Sequence, residues 1–230
     1  MIRQRLLQIQ KEKQEKRKRE ILEEILNVIV EGKAKRELKN LTIFVTLLAG
    51  AILGRIALQA VPSVEPIIPL AVVAGLLYGM KEGFMLGGTA YVVSNFFVWG
   101  LQGPWTIFQA IGGAMAGGMA GLIGKTKKPT AKDVIIWSLI GTLFFEFLMN
   151  ISGSLMGIGM LGLIGLLSLP MYFLTSLPFT LTHTVSNLIF AKMFSPILKL
   201  RRQENEFKMV SVSRIASGRV DTVRLYKSRE

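Results

Sequence analysis

The chain has 230 residues, half of them hydrophobic, with a formal net charge of +13 and a mean hydropathy of +0.44. It has no cysteine, which excludes disulfides, thiolate metal sites and cysteine nucleophiles, and its single histidine excludes His-cluster metal sites. In a soluble protein such a charge points to nucleic acid, but here 27 of the 28 Lys and Arg lie in three blocks and one turn between long apolar runs. Basic segments that stay on the cytoplasmic side while apolar runs cross a bilayer produce that pattern. It predicts an integral membrane protein with no nucleic-acid partner.

Residues 1–39 predict a charged cytoplasmic helix, a solvated surface element or one that docks to a partner or to lipid headgroups. No short apolar segment beside a small-residue cleavage site is present, so a cleavable signal peptide is not expected. The first span is expected from Leu41 to Val61, where Pro62 ends it. A second follows Pro66 and reaches Met80, and Lys81-Glu82 makes a tight turn. The third runs from Phe84 to Leu101, the fourth from Trp105 to Gly124, the fifth from Val134 to Ile151 and the sixth from Leu177 to Leu198.

With residues 1–39 inside, the segments alternate: 62–66 out, 81–83 in, 102–104 out, 125–132 in, 152–176 out and 199–230 in. Every basic segment then faces the cytoplasm. The fold expected is an all-α six-transmembrane-helix bundle (residues 40–200) with a charged cytoplasmic N-terminal helix (1–39) and a polar cytoplasmic tail (201–230). Residues 152–176, apolar and glycine-rich, are expected to connect spans at the outer surface, packed on the bundle or partly re-entrant. The tail predicts a small hairpin or disorder.

The polar groups within the spans carry the functional signal. Arg55, Ser94, Asn95, Gln109, Glu146, Asn150, His183 and Asn187 come from five spans and fall in one layer, mostly in the outer half. Buried ionisable groups cost several kcal/mol unless they face one another or water. The layer therefore predicts either a polar pocket open to the exterior or a set of ties between helices, Arg55 and Glu146 being possible partners of each other. Tyr91, Phe96, Phe97, Trp99, Trp105 and Phe108 flank it, as ligand-stacking rings or as an interfacial belt. Gly113, Gly117 and Gly121, with Gly50 and Gly54 in the first span, make small-residue faces suited to close packing or to docking another membrane subunit. No nucleotide-binding or nucleophile-elbow motif occurs, and no enzyme activity or cofactor is expected.

Several motifs occur in a particular order: Pro62-Ser63-Val64-Glu65-Pro66, Gly75-Leu76-Leu77-Tyr78-Gly79, Ser94-Asn95, Gly103-Pro104-Trp105-Thr106-Ile107-Phe108-Gln109, and Leu177-Pro178-Phe179 through His183 to Ser186-Asn187. In that order the region 40–200 resembles the substrate-binding S components of energy-coupling factor (ECF) transporters. The resemblance implies capture of a vitamin or similar small nutrient from outside the cell membrane. It also implies partnership with two cytoplasmic ATPases and with a membrane coupling subunit, the latter contacted by the segment Gly50 to Gly54. Asn95, Gln109, Asn150 and Asn187 are then expected to hydrogen-bond the ligand, Trp105 and Phe108 to stack on it, and Arg55 and Glu146 to match its charge or hold the pocket, with His183 in the same substrate-binding set. A secondary transporter using Glu146 for proton coupling and a membrane scaffold without a ligand are the competing expectations.

Overall fold

The computed structural model describes residues 2–98, 102–126, 128–161 and 169–198, and these are all helix, turn and short connection, with no strand. The helices are α1 (Ile2–Leu58), α2 (Ile67–Tyr78), α3 (Met80–Ser94), α4 (Trp105–Thr126), α5 (Ala131–Leu161) and α6 (Leu169–Phe194), followed by a 3-10 turn at Ser195–Leu198. The tail proposed as a hairpin and the ring of Trp99 lie outside the described residues.

The chain divides into two compact units, Met1–Val45 and Thr46–Glu230. The first is helical, with its described side chains largely exposed, and Lys33–Glu37 and Lys35–Glu31 pairs at 4.0 Å run along its surface. Such exposed pairs contribute little. The second unit contains the core. Among the described residues, three helical stretches are long and apolar enough to cross a membrane: Ile29–Leu58, Trp105–Gly124 and Ala131–Met156.

At the centre of the second unit is α2, which packs against α3, α4, α5 and α6. Its sequence is apolar all round, and every residue from Ile67 to Leu77 is buried, as expected of a helix with no polar stripe to turn outward. With 12 residues it is about 18 Å long, well short of the bilayer core of about 30 Å. The third helix, with 15 residues, is also shorter than the expected span 84–101. Gly79, at φ 122°, separates the two in a conformation that side-chain-bearing residues avoid.

The fourth helix closes on this pair through its glycines. A Cβ on Gly117 would overlap the Gly83 carbonyl, one on Gly113 would meet the Tyr91 ring, and one on Gly121 would meet Gly79 and Met80. The Gly113–Gly117–Gly121 stripe is therefore an internal packing face against α3, which decides between the two uses its spacing allowed.

At the start of α5, Thr130 and Asp133 cap each other. The Thr130 backbone N–H donates to Asp133 Oδ2 at 2.8 Å, and the Asp133 N–H reaches Thr130 Oγ1 at 3.4 Å. The largest departure from expectation is at 152–176. Helix α5 continues without a break to Leu161, and α6 already begins at Leu169, so both ends of the anticipated connector are helical and only 162–168 lie outside the described residues. Packing supports the helix at Gly153, which lets the rings of Trp105 and Tyr172 approach its backbone. Pro178 sits within α6, where it cannot donate to the Leu174 carbonyl.

Gly117→Ala is expected to cost about 1–3 kcal/mol through overpacking and to lower the thermal unfolding midpoint in detergent. Gly32→Ala, where an added Cβ meets nothing within 4 Å, is expected to leave it unchanged or slightly raised.

Candidate functional site: a buried polar network

In the second unit, α1 turns Leu47, Ala51 and Arg55 inward at helical spacing of four. The guanidinium of Arg55 meets Glu65, with Nε 2.6 Å from Oε2, although Glu65 was assigned to the outer loop. Both side chains are 90% or more buried. The turn 59–66 makes this possible. Ser63 adopts φ 62°, a left-handed conformation uncommon for serine, and the chain doubles back so that Glu65, just before Pro66, points into the bundle. The Ser63 carbonyl accepts from Ser186 Oγ of α6 at 3.2 Å, tying the turn down.

Arg55 continues into α3. Its Nη1 donates to Ser94 Oγ at 2.8 Å and to Asn95 Oδ1 at 2.5 Å, and its guanidinium lies 4.9 Å from the centroid of the Tyr91 ring. The Tyr91 hydroxyl donates to Glu65 Oε1. Asn95 extends the network to α4, its Nδ2 donating to Gln109 Oε1 at 2.7 Å and to Thr106 Oγ1 at 2.9 Å.

A second centre lies on α5 and α6. Glu146 Oε1 is 2.6 Å from His183 Nδ1, and Glu146 Oε2 accepts from Thr180 Oγ1 at 2.9 Å. Nε2 has no hydrogen-bond partner and stands 3.6 Å from Glu65 Oε1, too far for a hydrogen bond but close enough to join the two centres electrostatically. Phe145 forms the wall between them, stacked on Tyr91 at 5.0 Å and edge-on to His183 at 5.3 Å. Gly112 leaves it room, since a Cβ there would come within 2.6 Å of the Phe145 ring.

The remaining expected residues fall around this frame. Asn150 is buried one turn beyond Glu146 and donates to its backbone carbonyl at 2.9 Å. Asn187 belongs to a separate α5–α6 tie: Nδ2 donates to Thr142 Oγ1 at 2.9 Å, while Oδ1 has no partner. Trp105 is half-buried, with its Cη2 3.3 Å from the position of a Gly153 Cβ, and Phe108 is half-buried on α4. Gly50 is exposed; Gly54 faces its own chain, 2.6 Å separating its notional Cβ from Pro66.

Arg55 and Glu146, considered above as possible partners of each other, each have a different partner. Glu65, Tyr91, Thr106, Phe145 and Thr180 are the members that reading by spans overlooked or left as flanking residues. One signal pointed to Glu65. A lone arginine in an apolar span requires a counter-ion, and Glu65 is the single charge in the segment that follows it. Ser94 Oγ is engaged by Arg55 and by the Tyr91 carbonyl, and no bond between it and the His183 ring occurs. Among the described residues no group of three or more His, Asp or Glu is arranged to hold a metal ion.

Removing one partner of a buried ion pair strands the other charge. Arg55→Ala and Glu65→Ala are each expected to destabilise the protein by about 3–5 kcal/mol. The double variant should lose much less than the sum, a coupling that a double-mutant cycle on the thermal midpoint would measure.

No protein-family model, no curated protein and no solved structure matches this chain.

Proposed function

We propose that the chain is the substrate-capture subunit of an ECF-type transporter, a six-span helical protein that binds a vitamin or similar small nutrient from the exterior. The supporting observation is the convergence itself. Polar side chains from α1, the 62–66 turn, α3, α4, α5 and α6 meet in one buried, connected network. Packing alone does not call for so many ionisable groups at membrane depth, and intramembrane charges are by default functional.

The network divides the work. Arg55, Glu65, Ser94, Asn95 and Tyr91 satisfy one another and hold α1 and the turn against α3. Glu146, His183, Gln109 and Asn150, beside the half-buried Trp105 and Phe108, are the groups that reach a ligand. Asn187, one turn past His183 on α6, lines the deep end. In this reading the protein is a multi-pass cell-membrane protein with both termini in the cytoplasm, an orientation that the basic blocks support. Delivery to the inside rests on a membrane coupling subunit and two ATPases, because this chain has no nucleotide-binding motif. The exposed Thr46, Ala49, Gly50, Leu53 and Ala57 of α1 form the small-residue surface that would meet the coupling subunit.

A second reading is favoured by the Glu146–His183 contact: a self-sufficient carrier coupled to protons. Small molecules released by denaturing the gently purified protein, identified by mass spectrometry, test the capture reading. One nutrient-like compound in stoichiometric amount is the expected result; uptake of that compound that persists without any ATPase would favour the proton-coupled carrier instead.

A further inference from the structure

Four side chains that can carry charge near neutral pH meet in the buried network, each from a different element: Arg55 from α1, Glu65 from the 59–66 turn, Glu146 from α5 and His183 from α6. All four residues are buried. Arg55 and Glu65, in contact at 2.6 Å, account for one charge of each sign. Glu146 is met by the imidazole, with Nδ1 2.6 Å from Oε1, and by the uncharged Thr180 hydroxyl. No Lys or Arg pairs with it among the described residues. With a proton on each ring nitrogen of His183 the four groups sum to zero. Without that proton one negative charge is left uncompensated in the interior, which is costly.

The placement of the ring fits the charged form. His183 turns both nitrogens to carboxylate oxygens, Nδ1 to Glu146 Oε1 and Nε2 to Glu65 Oε1 at 3.6 Å. An imidazolium has an N–H on each nitrogen and meets both oxygens with positive charge. A neutral ring turns a lone pair to one of them, a repulsion that only a proton on that carboxyl would lift. The surroundings add no competing charge. Phe145 stands edge-on at 5.3 Å, the Tyr91 hydroxyl of α3 donates to Glu65 Oε1, and α2, packed on α6, is apolar from Ile67 to Leu77. From α4 the uncharged Thr106 and Gln109 join the network through Asn95. One turn along α6 from His183, Ser186 Oγ donates to the Ser63 carbonyl at 3.2 Å, so α6 reaches the turn at two points.

We propose that His183 is held as an imidazolium shared by Glu146 and Glu65, a proton-dependent clasp that fastens α5 and α6 to the 59–66 turn and loosens when the proton leaves. The clasp needs no ligand and so does not rest on the capture reading. A folded chain that holds one proton more than the unfolded chain loses stability as pH rises. The folded-to-unfolded ratio then falls by up to about tenfold per pH unit, over the range where the unfolded chain has released the proton and the folded chain keeps it. His183 is the single histidine, so isotope-labelled histidine in the full-length protein in mild detergent gives one pair of ring-nitrogen signals by NMR. Two protonated ring nitrogens are expected at neutral pH, with a thermal midpoint that falls above neutral pH more steeply than in His183→Gln. In Glu146→Gln, where Arg55 and Glu65 already balance, the ring is expected to be neutral at the same pH. If either variant does not fold, the ring signals of the unmodified chain decide. An unprotonated ring nitrogen at neutral pH overturns the clasp. So does a pH slope unchanged in His183→Gln, or a ring that stays charged in Glu146→Gln.

Discussion

A guanidinium inside an apolar helix is tolerable only where a counter-charge and enough acceptors reach it, and the pairing of Arg55 with Glu65 meets that condition. Its consequences extend through the second unit. The carboxylate sits in the turn after α1, so the chain must reverse sharply between Leu58 and Ile67, with Ser63 held in a left-handed conformation. The remaining donors of Arg55 draw in Ser94 and Asn95, which fixes where α3 ends relative to α1. Asn95 then carries the constraint to α4. One ion pair thus links the stretch of α1 from residue 46 to 58, the turn, α3 and α4. Its formation does not by itself gain much stability, because desolvation offsets the Coulomb attraction; it makes any other arrangement costly.

Around this polar frame the helices pack by an opposite principle. The contact of α4 with α2 and α3 is nearly backbone on backbone, with Gly83, Gly87, Gly113 and Gly117 facing one another. Where lipid is as apolar as the side chains, burial of hydrocarbon gives little drive to helix association, and close approach supplies van der Waals contact instead. The polar network and the glycine seam are therefore complementary. The seam holds α2, α3 and α4 as a rigid block, and the network joins α1, α5 and α6 to it through directional bonds.

The two carboxylates have different surroundings. Glu65 has a guanidinium and a phenol hydroxyl as partners; Glu146 has a ring nitrogen and a threonine hydroxyl. Between them stands His183, with Nε2 unpartnered. That nitrogen stands 3.6 Å from Glu65 Oε1, so the imidazole lies between the two carboxylates. The two carboxylates thus differ in partners while sharing one imidazole between them.

Much of this was legible in the sequence. The apolar runs and basic blocks predicted a helical membrane protein, and three helical stretches have the length and composition to cross one. The grouping of Arg55, Asn95, Gln109, Glu146 and His183 was also readable, because helical rise is constant, and these side chains belong to one buried network. Two helices proved shorter than their hydropathy suggested, and the 152–176 segment more helical, because glycine and proline punctuate local propensity while tertiary packing decides whether a helix continues.

The amino-acid sequence by itself determined which residues are polar, how they are spaced along the chain and which segments are basic, all properties of a chain read one residue at a time. Only the tertiary structure decided who pairs with whom: Arg55 with Glu65 across a reversed turn, Glu146 with His183 across two helices, and the α4 glycines with α3. Those choices depend on how each helix is rotated about its axis and how closely it approaches its neighbours. That rotation is set by the simultaneous demands of backbone contact and charge compensation, which no single helix contains.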